Sequence, residues 1–189
     1  MMIALHAWRS ADSIRRFDEL YPDRPLVVAL TGTDINAYLD SDPAPTLRSL
    51  ACADRLIALQ PLARRRVPAR YRQKVSVIHQ SVPTQRRVAA RKARHVDVLV
   101  IGHLRDVKDP LRAAKAARLL PATSRIRIVH LGAAETPQWA ARAKSEMSAN
   151  SRYVWRGERS RAEVRRRLVR AQAVVLSSLH EGGANVISA

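Results

Sequence analysis

The chain has a single cysteine, Cys52, so no disulfide can form within it. Its neighbours Leu50 and Ala51 suit a small buried hydrophobe better than a reactive thiol. Aromatic residues make up only 4% of the sequence. Aliphatic side chains and alanine must therefore fill any core, and few rings are available to stack on nucleic-acid bases. No apolar run approaches the roughly 18 residues needed to cross a bilayer. The opening MMIALHAW is too short for the apolar stretch of a secretory signal. No Gly-x-Gly-x-x-Gly follows an apolar run and no Gly-x-x-x-x-Gly-Lys-Ser/Thr occurs, which argues against a dinucleotide fingerprint and a P-loop. His6, His79, His95, His103, His130 and His180 show no metal-ligand spacing, so no metal is expected. Lysine is scarce too: Lys74, Lys92, Lys108, Lys115 and Lys144 are the only lysines among 34 basic residues.

What is present is a 189-residue chain, 47% hydrophobic, long enough to bury a core as one domain or two small ones. Its formal net charge is +18. That charge fits a nucleic-acid-binding module, an anionic small-molecule substrate, or arginines spread over solvated helix faces. The arginines are scattered, which favours the last as the main cause and leaves a nonspecific attraction for nucleic acid at low salt. The lone cysteine and the lack of a membrane span suit a cytoplasmic protein.

Short apolar runs alternate with helical patterns. Strands are predicted at Ile3 to His6, Leu26 to Leu30, Arg55 to Leu59 and Val75 to Ile78, with helices at Ser10 to Leu20, Thr46 to Ala53 and Pro61 to Arg66. LVVAL is uninterrupted, as in a strand covered on both faces. The segment Gln85 to Arg94 is basic and polar with no apolar period, and reads as a linker. Strands then resume at Val96 to Ile101, Ile126 to Leu131, Arg152 to Arg156 and Ala173 to Leu176, at βαβ intervals. Asp109-Pro110 reads as an N-cap and first helical residue, Thr136-Pro137 as another start, and Ser160-Arg161-Ala162-Glu163 as a capping box. Leu111, Ala113, Ala114, Ala117 and Leu120 form a small-residue face suited to close packing on a sheet. The fold class is α/β, two Rossmann-like parallel-sheet halves, both incomplete. The divisions are a first domain over 1–84, a linker over 85–95 and a second domain over 96–189.

Three stretches carry candidate chemistry. Glu181-Gly182-Gly183 follows an apolar strand and opens a predicted helix. The glycines allow close backbone approach and the helix start favours phosphate, whereas a carboxylate suits sugar hydroxyls. Gly102-His103-Leu104-Arg105-Asp106-Val107-Lys108 follows another strand; it is either a solvated loop or a pair of cations able to neutralise a pyrophosphate. Thr31-Gly32-Thr33-Asp34 closes LVVAL; it is either a ligand loop or an ordinary turn with Asp34 as a helix cap. His103 and His180 lie in such loops without a visible orienting partner.

The combination LTGTD, GHLRDVKDP and LHEGGANVIS resembles the GT-B glycosyltransferases, of the family 4-like type, with two facing Rossmann-like domains. Within them it is most similar to the selenosugar synthase branch of selenoneine biosynthesis. The resemblance covers nearly the whole chain. It implies a transferase using a UDP-sugar as co-substrate, with no other cofactor, and a small anionic acceptor such as selenophosphate. It implies that Arg105, Lys108 and Glu181 act in catalysis. Gly102, His103, Gly182, Gly183 and Asn185 would line the donor, and Thr31, Gly32, Thr33 and Asp34 the acceptor side. Thr31 stands where the family carries a histidine. The family's second glutamate falls at Ala189, so the chain reads as cut short at both ends. The competing readings are a basic nucleic-acid-binding module and an inactive glycosyltransferase fragment.

Overall fold

The computed structural model describes residues 1–82 and 94–184. They form two compact units: residues 1–82 with the described residues from His180 on, and the described residues from 94 to Leu179. Most of the expected linker, the helix expected after Gly183, and Asn185 lie outside the described residues.

In the first unit the apolar runs become four parallel strands, β1 (Met2–Leu5), β2 (Leu26–Leu30), β3 (Arg55–Ala58) and β4 (Val75–Val77), in sheet order β1-β2-β3-β4. Helices α1 (Ala11–Leu20) and α3 (Pro43–Cys52) pack beside each other. Strands added always on the same side, through crossovers of one hand, place their helices on one face. Ile14, Val28, Leu30, Leu50, Leu56 and Val67 fill the core. Each fully buried aliphatic side chain contributes about 1.5–3 kcal/mol. β1 alternates: Ala4 is buried while Ile3 and Leu5 are 57% and 65% exposed, so that face of β1 is bare among the described residues. α3 begins at Pro43, three residues before the predicted start, because Pro43 and Pro45 fall in the first turn, where no N–H is needed. Between β2 and α3 lie a π-helical turn (Asp34–Tyr38) and the short α2 (Leu39–Ser41). After β3 come α4 (Ala63–Arg66) and a 3₁₀ segment, Ala69–Lys74. Lys74 Nζ closes the end of α3, donating to the carbonyls of Leu50, Ala51 and Ala53.

The second unit is also all parallel. β5 (Val96–Ile101), β6 (Ile126–Leu131), β7 (Tyr153–Trp155) and β8 (Ala173–Val175) lie in the order β7-β6-β5-β8. Helices α5 (Arg112–Ala117) and α6 (Pro137–Ala149) pack in the core that holds Leu104, Leu111, Ile128 and Tyr153. Ala113, Ala114 and Ala117 are buried there, as their small-residue spacing predicts. Helix α7 (Arg161–Leu168) covers a separate apolar cluster of Leu99, Val129 and Leu131 through Val164 and Leu168.

Two predicted helix starts differ. Asp109 adopts left-handed backbone (φ 41°) and α5 starts at Arg112, so Asp109 is not an N-cap; its carboxylate pairs with Arg112 instead. Ser160 Oγ accepts the Glu163 N–H, one half of the capping box, while the Glu163 carboxylate pairs with Arg159 and Arg167. Thr136 caps α6 by accepting from the Trp139 N–H.

Many arginines have structural work. Arg152 donates to the carbonyls of Leu120, Pro121, Ala122 and Ser124, and Arg72 to those of Val67 and Arg65. Arg127 and Arg118 form two-pronged pairs with Asp97 and Glu146. Arginine's planar fork suits such contacts better than a lysine ammonium, which gives a physical reason for the arginine bias.

Candidate functional site

Ligands of open parallel sheets gather beyond the carboxyl ends of the strands, so the loops after β2, β5, β6 and β8 are the places to look. In the first unit the loop after β2 is built around Asp34, which is fully buried. Its Oδ2 accepts the N–H groups of Ala7 (3.0 Å) and Thr31 (3.1 Å), and its Oδ1 those of Gly32 (2.8 Å) and Ile35 (3.1 Å). The carboxylate therefore shapes the loop from inside. His6, just past β1, has left-handed backbone (φ 72°). The Arg9 N–H donates to its Nδ1, so the ring proton sits on Nε2 and is donated to Thr33 Oγ1 at 2.9 Å. Burial lowers the His6 pKa against the opposing pull of Asp34, which keeps the ring neutral.

The Glu181 loop groups with this unit. Gly32 (φ 119°) and Gly182 lie backbone to backbone: a Cβ on Gly32 would stand 2.4 Å from the Gly182 nitrogen, and one on Gly182 would stand 2.0 Å from the Thr31 oxygen. Asn36 Nδ2 donates to the Glu181 carbonyl at 3.3 Å. The structure thus brings together Thr31, Gly32, Thr33, Asp34, Glu181 and Gly182. Gly183 rests against Leu59.

In the second unit the order β7-β6-β5-β8 reverses direction at β5, which makes the gap between β5 and β8 the topological switch point. A small pocket sits there, lined by Gly102, His103, Lys108, His130, Ser177 and Ser178. A larger hollow of about 400 Å³ lies between α7 and the start of β5. It is at the opposite end of the strands, and its Arg167 and Asp97 are already ion-paired. The chemistry favours the switch point.

The loop after β5 is braced from two sides. Leu104 donates to the Ala133 carbonyl (2.8 Å), Ala133 donates to His103 Nδ1 (3.2 Å), and Glu135 donates to the Leu104 carbonyl (3.1 Å). From the β8 side, Ser177 Oγ donates to the carbonyls of Lys108 (3.2 Å) and Asp109 (3.0 Å), and the Leu179 N–H to that of Val107 (2.9 Å). Held in this frame, Arg105 stands in extended conformation before a single 3₁₀ turn, Asp106–Lys108. Its Nε is buried and has no hydrogen-bond partner. A buried guanidinium N–H without a partner is costly, and calls for water or an anion.

Gly102 has both backbone groups occupied: its N–H donates to the Leu131 carbonyl and its own carbonyl accepts from His130 Nε2. The Lys108 side chain lies over its Cα face, 3.8 Å from where a Cβ would be. His180 is exposed. Sequence reasoning missed His6, Asn36, Gly132, His130 and Ser177. The sequence signal for Gly132 and Ser177 was their place just past a strand end; the others are recognisable only from their partners. Among the described residues no His, Cys, Asp and Glu cluster could hold a metal, and no helix is long and apolar enough to cross a membrane.

No family model and no curated protein matches the sequence. Solved structures do match the fold. HepE from Anabaena, in complex with UDP and glucose, superposes with a TM-score of 0.72 at 14% identity over 98% of this chain and 55% of its own. A UDP-forming α,α-trehalose-phosphate synthase from Burkholderia xenovorans gives 0.73 at 11% identity, over 98% and 55%. The lipopolysaccharide outer core galactosyltransferase WaaB, in its apo form, gives 0.65 at 16%, over 98% and 52%. The chain spans about half the length of these proteins. At such identities the likeness is one of fold: the two parallel-sheet units are Rossmann-like halves of the GT-B type.

Proposed function

We propose that the chain carries the donor chemistry of a glycosyltransferase that uses a UDP-sugar. The observation that carries this reading is the buried, partnerless Nε of Arg105 at the switch point of the second unit. A diphosphate oxygen would supply the missing acceptor, and the guanidinium would stabilise negative charge on the departing UDP. Lys108, on the same 3₁₀ turn, adds a second positive charge. Glu181 accepts hydrogen bonds from sugar hydroxyls, with the Gly182, Gly183 and Asn185 backbone or side-chain groups supporting the donor. The Thr31 to Asp34 loop serves the acceptor. The crystal structure of HepE is of a complex with UDP and glucose, which agrees with this donor class. The likeness of LTGTD, GHLRDVKDP and EGGANV to selenosugar synthases supports selenophosphate as the acceptor. Such a nucleophile is already ionised and needs little general-base help.

The test is calorimetric titration with UDP of the native chain and of Arg105→Met. A hydrogen bond involving a charged group contributes about 1.5–3 kcal/mol, so the substitution is expected to weaken binding roughly ten- to hundredfold. Equal affinity of the two proteins for UDP would remove the basis of the proposal.

A further inference from the structure

His130 is fully buried in the middle strand pair of the second unit, and no step above uses it. Its hydrogen bonds determine where its proton sits. Nε2 lies 3.0 Å from the Gly102 carbonyl oxygen, which can only accept, so Nε2 carries the hydrogen. Nδ1 lies 2.9 Å from the Tyr153 hydroxyl and therefore accepts from it. Tyr153 is itself buried, and that burial raises its pKa, so the phenol keeps its proton. Burial lowers the His130 pKa in turn, against the pull of the Gly102 carbonyl. The result is a directed relay, Tyr153 O–H to His130, His130 N–H to the Gly102 carbonyl, with every polar atom of the two rings satisfied.

The carbonyl at its end belongs to the residue that opens the Arg105 loop. Gly132 closes the same arrangement from above: its φ is 152°, and a Cβ there would stand 1.9 Å from that same Gly102 oxygen. Trp155 Nε1 fixes the Gly132 carbonyl at 2.8 Å. The Gly102 carbonyl is thus gripped by a buried donor and crowded by a glycine that must lack a side chain.

We propose that His130 is a positioning residue. Through the Gly102 carbonyl it pins the loop that presents Arg105 and Lys108, and so pre-organises that loop for a diphosphate. This rests on the donor reading given above. Its physical content is that a buried hydrogen bond replaces loop mobility that phosphate binding would otherwise have to suppress.

The experiment compares His130→Leu, which removes the donor, with His130→Gln, whose amide NH₂ can reach the same carbonyl. Two readouts are taken on the full chain. Without ligand, amide hydrogen exchange is followed at Leu104 and Lys108, whose N–H groups are bonded within the loop region. With ligand, UDP affinity is measured by calorimetry. The expected result is exchange at least tenfold faster and UDP binding about tenfold weaker in His130→Leu, with both largely restored in His130→Gln. Unchanged exchange in His130→Leu overturns the positioning role whatever UDP does. Faster exchange with unchanged UDP affinity overturns its bearing on the ligand. A native chain that binds no UDP overturns the donor reading, and the exchange data then decide the anchoring separately.

Discussion

Replacing Gly132 by alanine tests the packing beneath the Arg105 loop directly. The new Cβ would be placed 1.9 Å from the Gly102 oxygen and 2.4 Å from its carbonyl carbon, both backbone atoms that no rotamer change can move aside. The loop after β5 or the loop after β6 must shift by more than an ångström. Either shift stretches the His130 and Leu104 hydrogen bonds that hold them together. Backbone strain at φ 152° adds about 1–3 kcal/mol for a residue with a side chain, and overpacking typically a further 1–3 kcal/mol. A loss of about 2–6 kcal/mol is therefore expected. Gly102→Ala is the control, since its Cβ would meet only the flexible Lys108 chain at 3.8 Å, an ordinary contact. That variant should stay within about 0.5 kcal/mol of the native protein. Urea unfolding followed by tryptophan fluorescence reads the effect. Trp139 and Trp155 belong to the second unit, so a Trp8→Phe background confines the signal to it. With a urea m-value of about 2 kcal/mol per molar, the midpoint should fall by roughly 1–3 M for Gly132→Ala. Equal midpoints for the two alanine variants would refute the argument.

Further outcomes follow from other buried groups. Asp34→Asn turns one oxygen that accepts backbone N–H groups into a donor, and is expected to cost at least about 2 kcal/mol of the first unit's stability by urea unfolding. Arg105→Met should lower UDP affinity roughly ten- to hundredfold, by calorimetry, with the melting temperature little changed. Stability should also depend on pH in a defined direction. His6 and His130 have folded pKa values below the ordinary 6.5, so the unfolded chain binds more protons than the folded one as pH drops beneath that value. Melting temperature should therefore be flat above about pH 7 and decline on acidification through about pH 6.5 to 5. For Glu146, burial alone would raise the pKa, but the hydrogen bonds from Arg118 and Asn150, with the Arg118 charge, outweigh it and the net direction is down. Its contribution is present above the ordinary 4.5 and is lost as pH falls further, a second decline that Glu146→Gln should lack. A melting temperature constant from pH 8 to 5 would contradict the histidine assignments, and equal declines of the native chain and Glu146→Gln below pH 4.5 would contradict that of Glu146.

What the sequence determined by itself was the alternation of elements and the loops that could carry chemistry. LVVAL is an uninterrupted apolar run that suits a strand covered on both faces, and Thr136-Pro137 starts a helix through purely local bonding. The small-residue face of Leu111, Ala113, Ala114 and Ala117 was readable for the same reason: spacing along one helix is a local property. The tertiary structure decided the rest. Asp109 looked like an N-cap from its neighbours, yet the fold sets it in left-handed backbone beside Arg112. Asp34 could have been a cap or a ligand-facing carboxylate; partners up to 27 residues away made it a buried clamp. His130, Tyr153 and Gly102 are separated in sequence by more than 20 residues at each step, and only strand register brings them into one hydrogen-bonded line. Local spacing can specify a strand or a cap, because those bonds close within a few residues. Whether a polar side chain ends up satisfied, or left over like Arg105 Nε, depends on partners that only the folded sheet supplies.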